Sequence, residues 1–258
     1  MSFSGKKVMI TGGSRGLGRA LTEALLGENA NVIVVARNAS ELVELKKSHK
    51  VEVAAVDIID QPAAIATLQY WQPDLLILNA GALPPMAPFH ESSWDEFTAT
   101  WDTDVKGGLF WMQAALNLPL RPGSQVIVSS SGAAVQGSPM SGGYAGAKRM
   151  LWLMCKYANG ISEAKNLGIQ FQAIVPTQMI RGTGIGDAGA AAYAAALGVT
   201  SDQFLDRFPE MSSQQYGGLV VEALKDDRYR SALALGFNGE SGISVLEATV
   251  APTAEGAE

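Results

Sequence analysis

"KVMITGGSRGLGRAL" (7–21) decides how the rest of the chain is read. "KVMIT" (7–11) is a short apolar run that reads as a strand. "TGGSRGLG" (11–18) follows it, and a helical pattern runs from about Arg15 to Gly27. Glycines at such a junction permit a tight turn and let backbone approach a phosphate. The helix N-terminus then presents free N–H groups and partial positive charge to that anion. Strand, glycine loop and helix in this order predict a dinucleotide site. Its expected contacts are Gly12, Ser14, Arg15, Gly16, Leu17 and Gly18, and the spacing is Gly-x-x-x-Gly-x-Gly. A plain turn with spare glycines is the competing reading.

Outward from this unit the same alternation repeats. "NVIVVA" (31–36), "VEVAAVD" (51–57), "DLLILNA" (74–80), "SQVIVSS" (124–130) and "IQFQAIV" (169–175) read as further strands. Helical patterns cover 38–48, 61–71, 93–117 and 142–167. Runs with little polar alternation suit strands buried on both faces. The prediction is an α/β fold: a single-domain Rossmann-type doubly wound parallel sheet of about seven strands with helices on both faces. The seventh strand is "SALALG" (231–236) or "GISVLE" (242–247), and periodicity does not choose. With no repeat or linker, one domain is expected over 1–250, carrying a substrate-lid insert at about 182–209, with "APTAEGAE" (251–258) as a frayed, flexible tail.

Composition narrows the function. Of 258 residues, 19 are basic and 25 acidic, a net charge of −6 without a basic cluster, which gives nucleic-acid binding little support. The lone Cys155 and the two histidines, His49 and His90, offer no metal pattern, so no metal is expected. No apolar run spans a bilayer, and the N-terminus does not read as a signal peptide; a cytoplasmic protein without a membrane partner is expected.

The strand ends supply further candidates. Where NAD-preferring sites place an acid after strand two, this chain has Ala36 and Arg37. With Arg15 in the glycine loop, two guanidiniums and no carboxylate suit a 2′-phosphate, so NADP(H) is expected over NAD(H). Both arginines equally suit an ordinary surface. Asp57, followed by Ile58, is placed to meet adenine, and Asn79-Ala80-Gly81 to line the cofactor; turn roles explain Asp57 and Asn79 as well. In "SGGYAGAKRM" (141–150), Tyr144 and Lys148 stand one helical turn apart. An ammonium beside a phenol favours the phenolate and tunes it for proton transfer. Chance also produces such pairs.

"TGGSRGLG", "NAGA" (79–82), the serine-bearing end of the fifth strand and Tyr-x-x-x-Lys at 144–148 occur together in order. In these the chain resembles the short-chain dehydrogenase/reductase family, over about residues 5–250. The resemblance implies hydride exchange between a nicotinamide and an alcohol or carbonyl. It assigns Tyr144 as proton donor and acceptor, and Lys148 as the group that tunes it and binds the nicotinamide ribose. Ser131, thirteen residues before the tyrosine, would hydrogen-bond the substrate oxygen, with Ser129 and Ser130 as out-of-register alternatives. Pro176 and Thr177 fall near the nicotinamide. Three departures stand out: Asp104 where the family has a catalytic asparagine that holds a helix kink and a water, Thr177 where it has glycine, and no final Gly-Gly pair. A buried, ionised Asp104 would favour the charged form of Lys148.

The expected activity is therefore that of an NADP(H)-dependent short-chain alcohol dehydrogenase or carbonyl reductase. Ser131, Tyr144, Met140 and Met179 would meet a small apolar alcohol, ketone or aldehyde. A homodimer or homotetramer is expected, with Trp94, Trp101, Trp111 and Trp152 on the two long helices as interface anchors or core residues. A redox-silent NADP-binding sensor or scaffold is the alternative, supported by Asp104 and Thr177.

Overall fold

The computed structural model describes residues 2–248; the predicted tail at 251–258 lies outside them. β1 (Lys7–Thr11), α1 (Gly16–Gly27) and β2 (Asn31–Ala36) form the first crossover, followed by α2 (Ala39–Ser48), β3 (Glu52–Ala55), α3 (Gln61–Trp71) and β4 (Leu75–Leu78). Next come α4 (Trp94–Thr100), α5 (Lys106–Asn117), β5 (Gln125–Ser129), α6 (Ala133–Gln136), α7 (Tyr144–Ala164) and β6 (Gln170–Pro176). The chain continues through α8 (Gly184–Leu197), α9 (Ser201–Leu205) and α10 (Ser213–Lys225), then β7 (Ala232–Asn238) and β8 (Gly242–Ala248).

The strands form one sheet in the order β3-β2-β1-β4-β5-β6-β7-β8. β1 to β7 are parallel, and β8 returns antiparallel beside β7. Both candidate seventh strands are thus strands. The order reverses between β1 and β4, the place where an open α/β sheet leaves a crevice beyond its strand ends.

Successive β1 side chains explain the apolar runs. Met9 joins the layer under α3, α5 and α7, with Trp111, Leu151 and Phe171. Val8 and Ile10 join the layer under α1, α2 and α10, with Leu21, Tyr216 and Phe237. Alternate residues of a strand point to opposite faces, so a strand covered on both faces must be apolar throughout. Trp111 and Trp152 are core residues of the first layer, whereas Trp94 and Trp101 are exposed.

Two predicted elements are corrected. β3 stops at Ala55, not Asp57, because β2, its only partner among the described residues, ends opposite it at Ala36. The helix expected over 93–117 is interrupted: a π-helical turn at Trp101–Val105 separates α4 from α5. No glycine or proline causes it. The wider turn buries Asp104, and the Trp101 indole donates to the Gly143 carbonyl at 3.1 Å. π turns inside helices frequently mark functional sites.

Candidate active site

The site begins at the end of β1. The Thr11 hydroxyl accepts the Asn79 and Ala80 N–H groups at 3.0 and 3.1 Å, fixing the end of β4 beside the glycine loop. Gly12 has φ +68°, and a Cβ there would stand 2.8 Å from the Ala80 Cα. At Gly18 a Cβ would stand 2.1 Å from the Gly12 carbonyl oxygen, so loop and helix touch backbone to backbone. Over Gly16 the space is open. α1 starts at Gly16 without a side-chain cap and without an acidic residue in its first turn. Its N–H groups and dipole therefore suit an anionic group. These are features that a cofactor's phosphates fit.

A cleft of about 1050 Å³ runs from Arg37, Asn38 and Glu41 past this loop to Tyr144 and Lys148, and on to Met179, Tyr193 and Phe204. Of the residues predicted from sequence, Gly12, Ser14, Arg15, Gly16, Leu17, Gly18, Arg37, Ile58, Asn79, Ala80, Gly81, Ser131, Tyr144, Lys148, Pro176, Thr177 and Met179 line it. Asp57, Asp104 and Met140 are not among its lining residues. Asp57 accepts the Ile59 N–H at 3.2 Å and lies 4.0 Å from Arg37. At Met140 the backbone carbonyl accepts the Ala87 N–H at 3.1 Å.

The three serines at the end of β5, Ser129 to Ser131, differ in what they touch. Ser129 donates to Asn79 Oδ1 at 3.1 Å, and Ser130 donates to the Lys148 carbonyl at 2.9 Å; both are buried. The half-buried Ser131 lines the cleft, and its oxygen accepts only the Ala133 N–H at 3.3 Å among the described residues. Its proton has no acceptor among the described residues.

Tyr144 opens α7, and Lys148 follows one turn later with its Nζ 5.6 Å from the Tyr144 ring centre. Lys148 also donates to the Ser129 carbonyl at 3.4 Å. Its Nζ stands 2.9 Å from Asp104 Oδ2, with the lysine side chain 8% and the aspartate 0% exposed. This is a buried ion pair in direct contact. The other carboxylate oxygen accepts the Ala82 N–H at 2.7 Å. Burial alone pulls the Lys148 pKa down, but the Asp104 charge, then Tyr144, overcome it and leave the pKa raised above the usual lysine value. Gly81 is required here: a Cβ would stand 2.6 Å from Asp104 Oδ2. Thr177 has its own explanation, since its hydroxyl and its N–H both donate to the Phe237 carbonyl, at 3.1 and 3.0 Å.

The sequence model of the family described as short chain dehydrogenase matches residues 6–188. The chain belongs to the short-chain dehydrogenase/reductase family. It is 31% identical over 204 residues to the 2,5-dichloro-2,5-cyclohexadiene-1,4-diol dehydrogenase of Sphingobium indicum, covering 74% of this chain and 81% of that one. Among solved structures, NAD+-bound xylitol dehydrogenase matches with a TM-score of 0.79 at 19% identity, covering 93% of this chain and all of that one. The L-sorbose reductase of Gluconobacter frateurii, complexed with NADPH and L-sorbose, matches with a TM-score of 0.74 at 22% identity, covering 93% and 98%. This short-chain dehydrogenase is an oxidoreductase of alcohols and carbonyls with a nicotinamide cofactor.

Sequence reasoning did not single out Thr11, Glu41, Ser138 or Ser141. Glu41 accepts from Ser14 Oγ at 3.1 Å and from Asn38 Nδ2 at 3.0 Å, bringing a carboxylate to the cleft beside Arg15 and Arg37. Its signal was its place in the first turn of a helix capped by Asn38. Among the described residues no group of three or more His, Cys, Asp or Glu could hold a metal, and no helix is long and apolar enough to cross a membrane.

Proposed function

We propose that this protein interconverts a small, largely apolar alcohol and its ketone or aldehyde using NADP(H), with Tyr144 as general acid/base. The observation that carries the reading is the convergence of Ser131, Tyr144 and Lys148 on one cleft that is continuous with the open glycine loop. The cofactor, when bound, supplies the hydride chemistry. In reduction, Tyr144 gives its proton to the substrate oxygen while the Ser131 hydroxyl, free on that side, holds the same oxygen. In oxidation the proton returns. Lys148 keeps positive charge beside the tyrosine, and Asp104 keeps Lys148 charged. Asn79, Ala80, Gly81, Ile58, Pro176 and Thr177 are the proposed walls around the cofactor, and Asp57 its partner at the adenine end.

Arg15 and Arg37 favour a 2′-phosphate over a bare ribose. Glu41 opposes them, and relatives bound to NAD+ and to NADPH both occur. The reading keeps NADP(H) because the residue at the end of β2 is Ala36 and two guanidiniums flank the cleft. Residues 182–209 act as a lid on one domain, in a cytoplasmic homodimer or homotetramer. Its contacts would include the exposed Trp101, Leu109, Tyr157 and Ile161.

Tyr144→Phe keeps the ring and removes the proton. Turnover of any alcohol or ketone should fall by at least a thousandfold while nucleotide binding, read by titration calorimetry, changes little. Near-normal turnover by the variant removes Tyr144 from the acid/base role.

A further inference from the structure

The far end of the cleft holds a second set of hydroxyls that the proton-transfer reading does not use. Ser141 donates to Ser138 Oγ at 2.6 Å, and Ser138 Oγ meets the Tyr193 hydroxyl at 2.9 Å. All three line the cleft. The chain is anchored close to the acid/base, because the Tyr144 N–H donates to the Ser141 carbonyl at 3.1 Å.

Counting protons shows what is left over. The Ser141 proton is spent on Ser138. Ser138 and Tyr193 carry one proton each, and the bond between them uses one. Whichever of the two donates, the proton of the other has no acceptor among the described residues. The pair therefore presents one unused donor, together with unused lone pairs, to whatever fills this end of the cleft.

The surroundings of that polar pair are apolar and flat. The Tyr193 and Phe204 rings are stacked, with centres 5.6 Å apart and planes 6° from parallel. Phe208 meets Phe204 edge-on at 5.7 Å. Gly189, one turn before Tyr193, leaves room for the Met179 methyl, which would stand 3.2 Å from a Cβ at that position. Sites of this kind bind by apolar area and orient by a few placed polar groups.

One cleft thus carries two oxygen-binding points, the second of them set among the apolar side chains of Met179, Phe204 and Phe208. We propose that the natural substrate is a cyclic diol or hydroxyketone on an otherwise apolar ring; this rests on the oxidoreductase reading above. One ring oxygen meets Tyr144 and Ser131 and is the one that reacts. A second hydroxyl or carbonyl on the same ring meets Ser138 and Tyr193 and is unchanged by the reaction. In oxidation, one carbinol carbon loses a hydride to the oxidised nicotinamide, its hydroxyl loses a proton to Tyr144, and a ketone forms. A mono-alcohol leaves the spare donor facing hydrocarbon, where an unpaired polar group is unfavourable. An open-chain polyol loses water from those hydroxyls that lie against Met179, Phe204 and Phe208, side chains that offer no hydrogen bond in return.

The test uses the full-length protein with NAD+ and NADP+ in separate series. The substrates are cis-1,2-cyclohexanediol, cyclohexanol and the open-chain polyol sorbitol. The expected kcat/KM for the cyclic diol exceeds both others by tenfold or more. Tyr193→Phe, which keeps the stacked ring, and Ser138→Ala should each reduce the diol-to-cyclohexanol ratio of kcat/KM at least fivefold. Thermal unfolding of each variant is recorded alongside, so that one variant still decides if the other fails to fold. Equal kcat/KM for diol and cyclohexanol, or preference for sorbitol, overturns the proposal while leaving the oxidoreductase reading intact. So does a proportional loss on both cyclic substrates accompanied by a lower Tm, which would make the hydroxyl chain a strut for α8. Failure to turn over any alcohol or ketone with either nucleotide overturns the oxidoreductase reading and this proposal with it.

Discussion

Asp104→Asn removes a buried charge and leaves the side-chain shape. The lost contact is the Lys148 pair at 2.9 Å, between side chains 8% and 0% exposed. At an effective dielectric constant of about 20, that separation corresponds to roughly 6 kcal/mol of gross attraction. Dehydration of both groups offsets much of it, and removing one member of a buried pair typically costs about 3–5 kcal/mol. A second bound comes from the lysine, which can shed its proton. From a pKa of about 10.4, release at pH 7 costs roughly 5 kcal/mol. Asparagine keeps an acceptor for the Ala82 N–H, so the loop after β4 loses no hydrogen bond. The expected loss is therefore about 3 kcal/mol at pH 7, or about 6–12 °C in Tm for a chain of this size.

The pH dependence identifies the cause. The Lys148 pKa is raised in the folded protein, so its stabilisation is complete below the unfolded lysine value and is lost as pH rises through the folded value. Without Asp104, burial dominates and lowers the lysine pKa. The variant's deficit is then largest at neutral pH and shrinks as pH approaches 10. Urea unfolding of both proteins at pH 7 and near pH 10 measures this. A loss under about 1 kcal/mol at pH 7, where an unpaired buried charge should cost several, refutes the argument. A gap of equal size at both pH values does so too.

Three further substitutions probe the nucleotide end of the site. Thr11→Val strands the Asn79 and Ala80 N–H groups, and should lower stability by about 1–3 kcal/mol in chemical unfolding and weaken nucleotide binding. Arg37→Asp should weaken NADPH binding about tenfold or more relative to NADH, the scale of one charge-assisted contact, whereas Glu41→Gln should strengthen NADPH; titration calorimetry with both nucleotides reads each, and equal binding of NADH and NADPH by the unaltered protein refutes the assignment.

What was legible in the sequence was local. The glycine loop follows β1 and opens α1 within a dozen residues, so order and spacing carried it. Tyr144 and Lys148 share a helix face by spacing alone. The rest depends on residues distant in the chain. The π turn has no breaker in "TWDTDV" (100–105); it is held by bonds from Asp104 to Ala82 and Lys148, 22 and 44 positions away. Thr11 reads as the last residue of a strand, and its hydroxyl gains two donors from the chain just past β4, far away in sequence. The candidates 231–236 and 242–247 could not be separated because both are strands, and a hairpin at a sheet edge gives no crossover signal. Among Ser129, Ser130 and Ser131 the family resemblance implied the last; that the first two hydroxyls are engaged by Asn79 and the Lys148 carbonyl is visible only in the fold.

The π turn also sets a phase. An α-helix advances about 100° per residue, and one extra residue in a turn rotates everything before it by that amount relative to everything after. α4 rests against the start of α7 through the Phe97 carbonyl, which accepts the Gly143 N–H at 3.0 Å, while α5 packs in the core through Trp111. The rotation at 101–105 is what lets both docking directions hold at once in this fold. Shortening the segment 101–105 by one residue would leave its chemistry nearly intact, yet would aim Phe97 and its neighbours away from Gly143. Asp104 aside, the segment should tolerate changes of residue far better than a change of length.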